Sequence, residues 1–178
     1  MSANFWNDPK LEPKRSFRFL VQWSIGGDSL TFLAKQVSRP SFTITSTPHK
    51  FFNHTFYYPG RVEWKTISLT LVDAITPNAA NIFMKYLSDI GYVEPKSEEQ
   101  SYERTITKQT AVAESAGLTI KEKGTDDNGN TVDIGEWVLN NAFITDASFG
   151  EHSYDSEDMI DIQLTIQYDW AKYNKLRD

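Results

Sequence analysis

The sequence predicts a mainly β fold: an antiparallel β sandwich or barrel carrying one amphipathic α-helix. Three observations point there. Runs alternating apolar and polar with period two recur along the 178 residues, the cleanest from Ile160 to Trp170. Turn signals at Gly26-Gly27-Asp28, Pro59-Gly60 and Asn128-Gly129 punctuate them. Only the stretch 79–90 repeats its apolar residues at three and four.

Residues 1–14 are polar, hold Pro9 and Pro13, and read as an irregular N-terminal arm whose Phe5 and Trp6 dock on something. A single domain is expected over 15–170. Phe17, Phe19, Val21 and Trp23 alternate with polar residues and predict a half-buried strand. The Gly26-Gly27-Asp28 turn leads to a second alternating run through Leu30, Phe32 and Ala34, so the two read as a hairpin that Arg39-Pro40 ends. Residues 42–62 are β-prone and aromatic, with Pro48 and Pro59-Gly60 as turn punctuation, and predict a long projecting hairpin or extended loop. Ile67, Leu69 and Leu71 then alternate with Thr66, Ser68 and Thr70 as a strand.

The helix follows, with Thr76 as expected N-cap and Pro77 at the first helical position. Its stripe is Ala79, Ile82, Phe83, Tyr86, Leu87 and Ile90, and Gly91 is its expected stop. Residues 94–117 are charged and lack large apolar groups, so a loop or frayed strands are expected there. Asn128-Gly129 marks a hairpin between Leu118–Ile120 and a return strand through Val132, Ile134 and Trp137. Ala142–Ile144 is a third strand region. The final run from Ile160 to Trp170 has one apolar and one polar face, and 171–178 reads as a basic C-terminal tail.

Composition narrows the chemistry. There is no cysteine, which excludes disulfides, thiolate metal sites and thiol catalysis. A net charge of −6 argues against a nucleic-acid-binding domain. The charge is uneven: residues 1–89 carry +4 and residues 90–178 carry −10. No secretory leader and no membrane-spanning apolar stretch are expected. His49, His54 and His152 form neither HxH nor HExxH, and His152, Ser153 and Asp155 are chain neighbours that cannot gather as a triad. Asp126-Asp127-Asn128-Gly129-Asn130 suggests a calcium loop, but counting from Asp126 puts Thr131 where that loop needs glycine. Gly26-Gly27 lacks the context of a phosphate-binding loop. No catalytic, cofactor or metal residues are therefore assigned, and an enzyme is not expected.

Residues 51–58 hold five Phe or Tyr. They cannot all enter one small core, so a partner surface is expected at Phe51, Phe52, Phe56, Tyr57, Tyr58, Pro59 and Gly60. The ordinary alternative is a core strand with aromatics on both faces.

An ordered series of segments carries a family resemblance. It runs through RSFRFLVQW, DSLTFLAKQVSRPSF and HKFFNHTFYYPGRVEWKTISLTLVD to the helix PNAANIFMKYLSDIG and the closing IDIQLTIQYDW. Within the third segment stand Phe52-Asn53, Gly60, Trp64, the Thr66–Thr70 strand and Asp73. Over residues 15–93 and 136–170 the chain resembles the tail tube proteins of contractile-tailed bacteriophages, a family related to the tube proteins of type VI secretion. The region 94–135 matches poorly and reads as an insertion or loop region.

The resemblance implies a structural subunit of a phage tail tube. It implies homo-hexameric rings stacked into a conduit for DNA, with the 42–62 hairpin reaching a neighbouring subunit. Implied partners are other copies, a tail sheath protein, and baseplate and tape-measure proteins. No cofactor is implied, DNA is only passing cargo, and no membrane is involved. Implied localisation is the virion tail, assembled in the bacterial host cytoplasm. Asp155, Glu157, Asp158, Asp161 and Asp169 would set a negative lumen or ring face; a solvated acidic loop and strand is the plain alternative. Two other readings stay open: a baseplate or type VI-like tube protein of the same fold, and a ligand-binding β sandwich with aromatic stacking platforms.

Overall fold

The computed structural model describes residues 12–25, 28–31, 33–93, 105–115, 117–126, 128–155 and 157–177. The expectations for residues 1–11 and for 94–104 lie outside the described residues. In chain order the elements are β1 (Phe19–Gln22), β2 (Ser24–Ile25), β3 (Asp28–Ser29), β4 (Ala34–Val37), β5 (Phe42–Phe51), β6 (His54–Trp64) and β7 (Ile67–Val72). There follow α1 (Ala79–Ile90), α2 (Lys108–Glu114), β8 (Leu118–Thr125), β9 (Thr131–Asn140), β10 (Phe143–Ser148), β11 (Asp161–Gln167) and β12 (Trp170–Lys175).

Two four-stranded antiparallel sheets, β1-β8-β9-β12 and β10-β11-β7-β4, share one apolar core. The architecture is thus the sandwich. Ile67, Leu69 and Leu71 on β7 and Ile162, Leu164 and Ile166 on β11 are fully buried, as period-two alternation requires of the inward face. Leu164 stands directly opposite Leu69, so the two strands are zipped by apolar pairs. Val21, Leu118, Ile120 and Leu139 of the other sheet complete the core. Among the described residues no helix is long and apolar enough to cross a membrane.

The helix α1 buries Ala79, Ile82, Phe83, Tyr86 and Ile90, the expected stripe without Leu87. Its cap is Asn78 rather than Thr76, and Pro77 precedes the helix instead of opening it. The Asn78 side chain accepts the Asn81 N–H at 2.7 Å, satisfying a donor that the first turn leaves free. Gly91 ends the helix at φ 118°, a left-handed conformation that glycine adopts without steric cost.

Several expectations require correction. Strands β1 and β4 do not pair with each other. Only the two-residue ladder β2–β3 forms between them; β1 then joins β8 and β4 joins β7. Phe17 does not follow its run inward and is 72 % exposed. Residues 105–115 are neither plain loop nor frayed strand, while the hairpin expected at Asn128-Gly129 does form. The first stretch supplies α2, and the hairpin is β8–β9, half of one sheet. The helix α2 escaped the apolar pattern because it buries only Ala111. What holds it is a reciprocal cap between Thr107 and Thr110, together with Ser115, whose hydroxyl donates to the carbonyls of Ala111 and Ala142.

The run from Ile160 to Trp170 is two strands, not one. At Tyr168–Asp169 the chain leaves β11 and enters β12 in the opposite sheet. The expected tail, 171–178, is mostly that strand, paired with β9 from Trp170↔Asn140 to Lys175↔Gly135.

Candidate functional site

The site is the β5–β6 hairpin. Its strands pair from Phe42↔Trp64 to Phe51↔His54, and nearly every residue is exposed. Ten residues at about 3.3 Å each carry it roughly 30 Å beyond the β4–β7 ladder that it prolongs. The base is anchored. Phe42 packs edge-on against Trp64 with ring centroids 5.4 Å apart, and Trp64 meets the buried Tyr168 at 6.0 Å.

Beyond the base both faces carry exposed apolar side chains among polar ones. Directly opposed residues share a face, so Phe42, Ile44 and Pro48 lie with Trp64, Val62, Tyr57 and Pro59. The other face carries Phe51, Phe56 and Tyr58 toward the tip. Pro48 and Pro59 sit inside strands rather than in turns. A ladder tolerates proline on an open edge or at a bulge, and Pro59 borders the bulge in β6.

Gly60 has a local reason. Between Ile44↔Val62 and Ser46↔Pro59, β6 spends three residues where β5 spends two, which is a bulge on β6. A Cβ on Gly60 would lie 2.4 Å from the Thr45 hydroxyl oxygen. That oxygen accepts the Arg61 N–H at 2.9 Å and pins the bulge.

The tip is strained. Phe52 has φ 49°, a region that bulky residues avoid, and its ring is 90 % exposed while it touches Phe51 at 4.6 Å. The two-residue connection between Phe51 and His54 requires a positive φ, and here phenylalanine supplies it. The structure thus brings all seven expected residues into one projecting element.

The five acidic residues do not form one face. Asp155, Glu157 and Asp158 lie on the exposed loop between β10 and β11. Asp161 reaches across the outer face of its sheet to the Lys35 ammonium at 2.6 Å. Asp169 clips the corner where the chain changes sheets. It accepts from Lys108 at 2.6 Å and from Asn141 at 2.6 Å, and these bonds hold its carboxyl below the ordinary range. Asp126 likewise closes its own turn, accepting the N–H groups of Asn128 and Asn130. Among the described residues no group of His, Asp and Glu is arranged to hold a metal.

A second feature has no local sequence signal. On the flank of the sandwich where β1 and β4 are edge strands runs a groove with Glu122 at its centre. Glu122 is bound by Lys14, Arg39 and the Tyr173 hydroxyl, groups from three distant parts of the chain. Gly135 makes room for that tyrosine, since a Cβ there would meet its hydroxyl oxygen at 2.1 Å. Burial works to raise the Glu122 pKa, but the two cations and the tyrosine outweigh it and hold the carboxyl below its ordinary 4.5. A depressed carboxylate adds stability that is fully present above about pH 4.5 and is lost as pH falls through the lower folded value. Thermal melts should therefore drop as pH is lowered from 5 toward 3, and Glu122→Gln should flatten that slope. An unchanged slope in the variant would show that the cluster contributes nothing to acid sensitivity.

No protein-family model matches the chain, and no curated protein does. Solved structures do. A chain of the anti-feeding prophage baseplate, described as 6-fold symmetrised, superposes with TM-score 0.65 at 14 % identity, covering 93 % of this chain and 97 % of that one. A chain of the anti-feeding prophage tube-terminating cap gives 0.64 at 15 % identity, covering 98 % and 99 %. A chain of the sheath–tube complex of an extracellular contractile injection system gives 0.60 at 17 % identity, covering 99 % and 100 %. By their descriptions these are parts of injection assemblies rather than enzymes. The protein has the fold of the tube and cap components of contractile injection systems, a fold that the resemblance to tail tube proteins had implied.

Proposed function

We propose that the protein is a structural subunit whose copies join into rings stacked as a hollow tube. The observation that carries this is the β5–β6 hairpin, with exposed aromatics on both faces and projecting roughly 30 Å without cover from the other described residues. A two-stranded hairpin is marginal alone in water, so one with exposed aromatics is stabilised by a partner. The fold match to sheath–tube, baseplate and cap chains supports a second copy as that partner. Six-membered rings are the expected closure, and rings close the free sheet edges β1, β4, β10 and β12 that otherwise invite uncontrolled pairing. A sheath, baseplate and tape-measure protein would be its neighbours in the tail of a phage or phage-like particle, assembled in a bacterial cytoplasm.

The conduit would carry DNA or a protein effector. The surface that suits it is the outer face of β7 and β11, where Ser68, Thr70, Gln163, Thr165 and Gln167 alternate with buried residues. Hydroxyls and amides hold water and offer no cation to grip phosphate. The one carboxylate there, Asp161, is already paired with Lys35. Asp146 of β10 stands opposite Thr165 on the same face, so the lumen in this reading is wet and mildly acidic.

A second reading, a tube-initiating or tube-terminating subunit, is favoured by the match to baseplate and cap chains. Negative-stain microscopy of the purified full chain separates the outcomes. Long stacked tubes are expected for a main tube subunit, and single rings for an initiator or cap. Monomers at every concentration would overturn both.

A further inference from the structure

The two ends of the sheet β10-β11-β7-β4 are unlike, and each leaves apolar surface uncovered. The pairs Val37↔Leu69 and Ile166↔Ile67 mark one end, where β4 runs out into the hairpin and the hairpin returns to β7. The pairs Ala34↔Leu71, Asp161↔Val72 and Ser148↔Gln163 mark the other. At that far end lie residues 73–78 and the loop between β10 and β11, so the hairpin points away from both. Backbone contacts gather these two segments. The Asp73 N–H donates to the Ile160 carbonyl at 2.9 Å, and Gly150 lies so close to β11 that a Cβ on it would stand 2.9 Å from the Asp161 carbonyl oxygen. Ile75, Phe149, Tyr154 and Met159 are all exposed there, Ile75 to 95 %. The charges differ too. The hairpin carries Lys50 and Arg61 against Glu63, and neither cation meets a carboxylate among the described residues. The far end carries Glu151, Asp155 and Glu157, whose carboxylates meet no cation among the described residues, while Lys35 beside them is taken by Asp161.

We propose that the hairpin of one copy docks end to end on the surface formed by Ile75, Phe149, Tyr154 and Met159 of the next, with Lys50 and Arg61 facing its carboxylates. The inference rests on the self-assembly reading and names the surface that receives the hairpin. A second copy is the occupant because one chain carries both halves of the match. Exposed aromatics with unpaired cations stand at one end, and exposed apolar groups with unpaired carboxylates at the other. Two different surfaces at opposite ends make a head-to-tail contact, which leaves a free hairpin and a free receiving surface at the two ends of any stack. Edge pairing runs sideways and a ring can close it; this contact runs along the strands and stays open to growth. Charge pairs across such an interface set register and exclude wrong partners, and they weaken as salt screens them.

Analytical ultracentrifugation of full-length variants tests this. Asp155→Lys/Glu157→Lys reverses the receiving end, and Lys50→Glu/Arg61→Glu reverses the hairpin. Each pair alone should associate at least about tenfold more weakly than wild type. A chain carrying all four substitutions should recover association, because a reversed hairpin then meets a reversed end. Recovery also shows that the substituted chain is folded. Ile75→Ser/Met159→Ser should weaken association as well, and its melting temperature should barely move because both side chains are exposed. Wild-type association by both receiving-end variants, with loss only in the hairpin variant, would mean that hairpins pair with each other or with a different surface, and the proposal falls. It falls equally if the fourfold variant melts like wild type and does not recover. A wild-type chain that never associates overturns the self-assembly reading, and this inference with it.

Discussion

Replacing Phe51–Gly60 with a short Gly-Ser turn is expected to leave a folded, soluble monomer that forms no tubes. The removed stretch packs mainly on itself, while Trp64 and Tyr168 keep their contact at the base. The sandwich core contains none of the deleted side chains, so its melting temperature should barely move. If only two of the aromatics act as anchors at about 2 kcal/mol each, association falls by about three decades. Phe52→Gly sharpens the test. Glycine accepts the left-handed φ of 49° that phenylalanine resists, so the turn should relax while association weakens. Tubes of normal length from the shortened chain would defeat the assembly role of the hairpin.

Leu164→Ala should be the most damaging conservative change in the body. Leu164 is 1 % exposed at the centre of β11, between Leu69 and Ala147 on the neighbouring strands. Truncating a leucine in such a site costs roughly 2–5 kcal/mol through lost transfer energy and a cavity. For a chain of this size that lowers the melting temperature by roughly 5–15 °C. Gln163→Ala, one residue away on the outer face, should stay within about 0.5 kcal/mol. Equal effects at the two positions would mean that the face assignment of β11 is wrong.

Strand faces, the helical stripe, the Gly91 stop and the projecting aromatic hairpin were all legible in the residues. Each depends on neighbours a few positions apart, where side-chain period and backbone preference act directly. The helix cap was read two residues early because Thr76-Pro77 carries a stronger local signal than Asn78. The helix α2 was missed because seven residues with one buried alanine leave no periodic trace. The hairpin prolines looked like turns because a propensity argument cannot tell a free ladder edge from a paired one.

Pairing partners are another matter. Period two says which side chains face inward, not which strand lies alongside. The run from Ile160 to Trp170 therefore reads as one strand, although it turns a corner at Asp169 and serves two sheets. The acidic residues divide for the same reason. Asp161 and Asp169 find cations 126 and 61 residues away, while Asp155 and Glu157 stay on the loop. The groove assembles Lys14, Arg39, Glu122 and Tyr173, which no window of sequence contains. Local patterning decided that this chain is a mainly β fold, sandwich or barrel, with a projecting aromatic arm. Only the three-dimensional fold decided how its charges are arranged, because ion pairs and sheet edges depend on distance in space rather than along the chain.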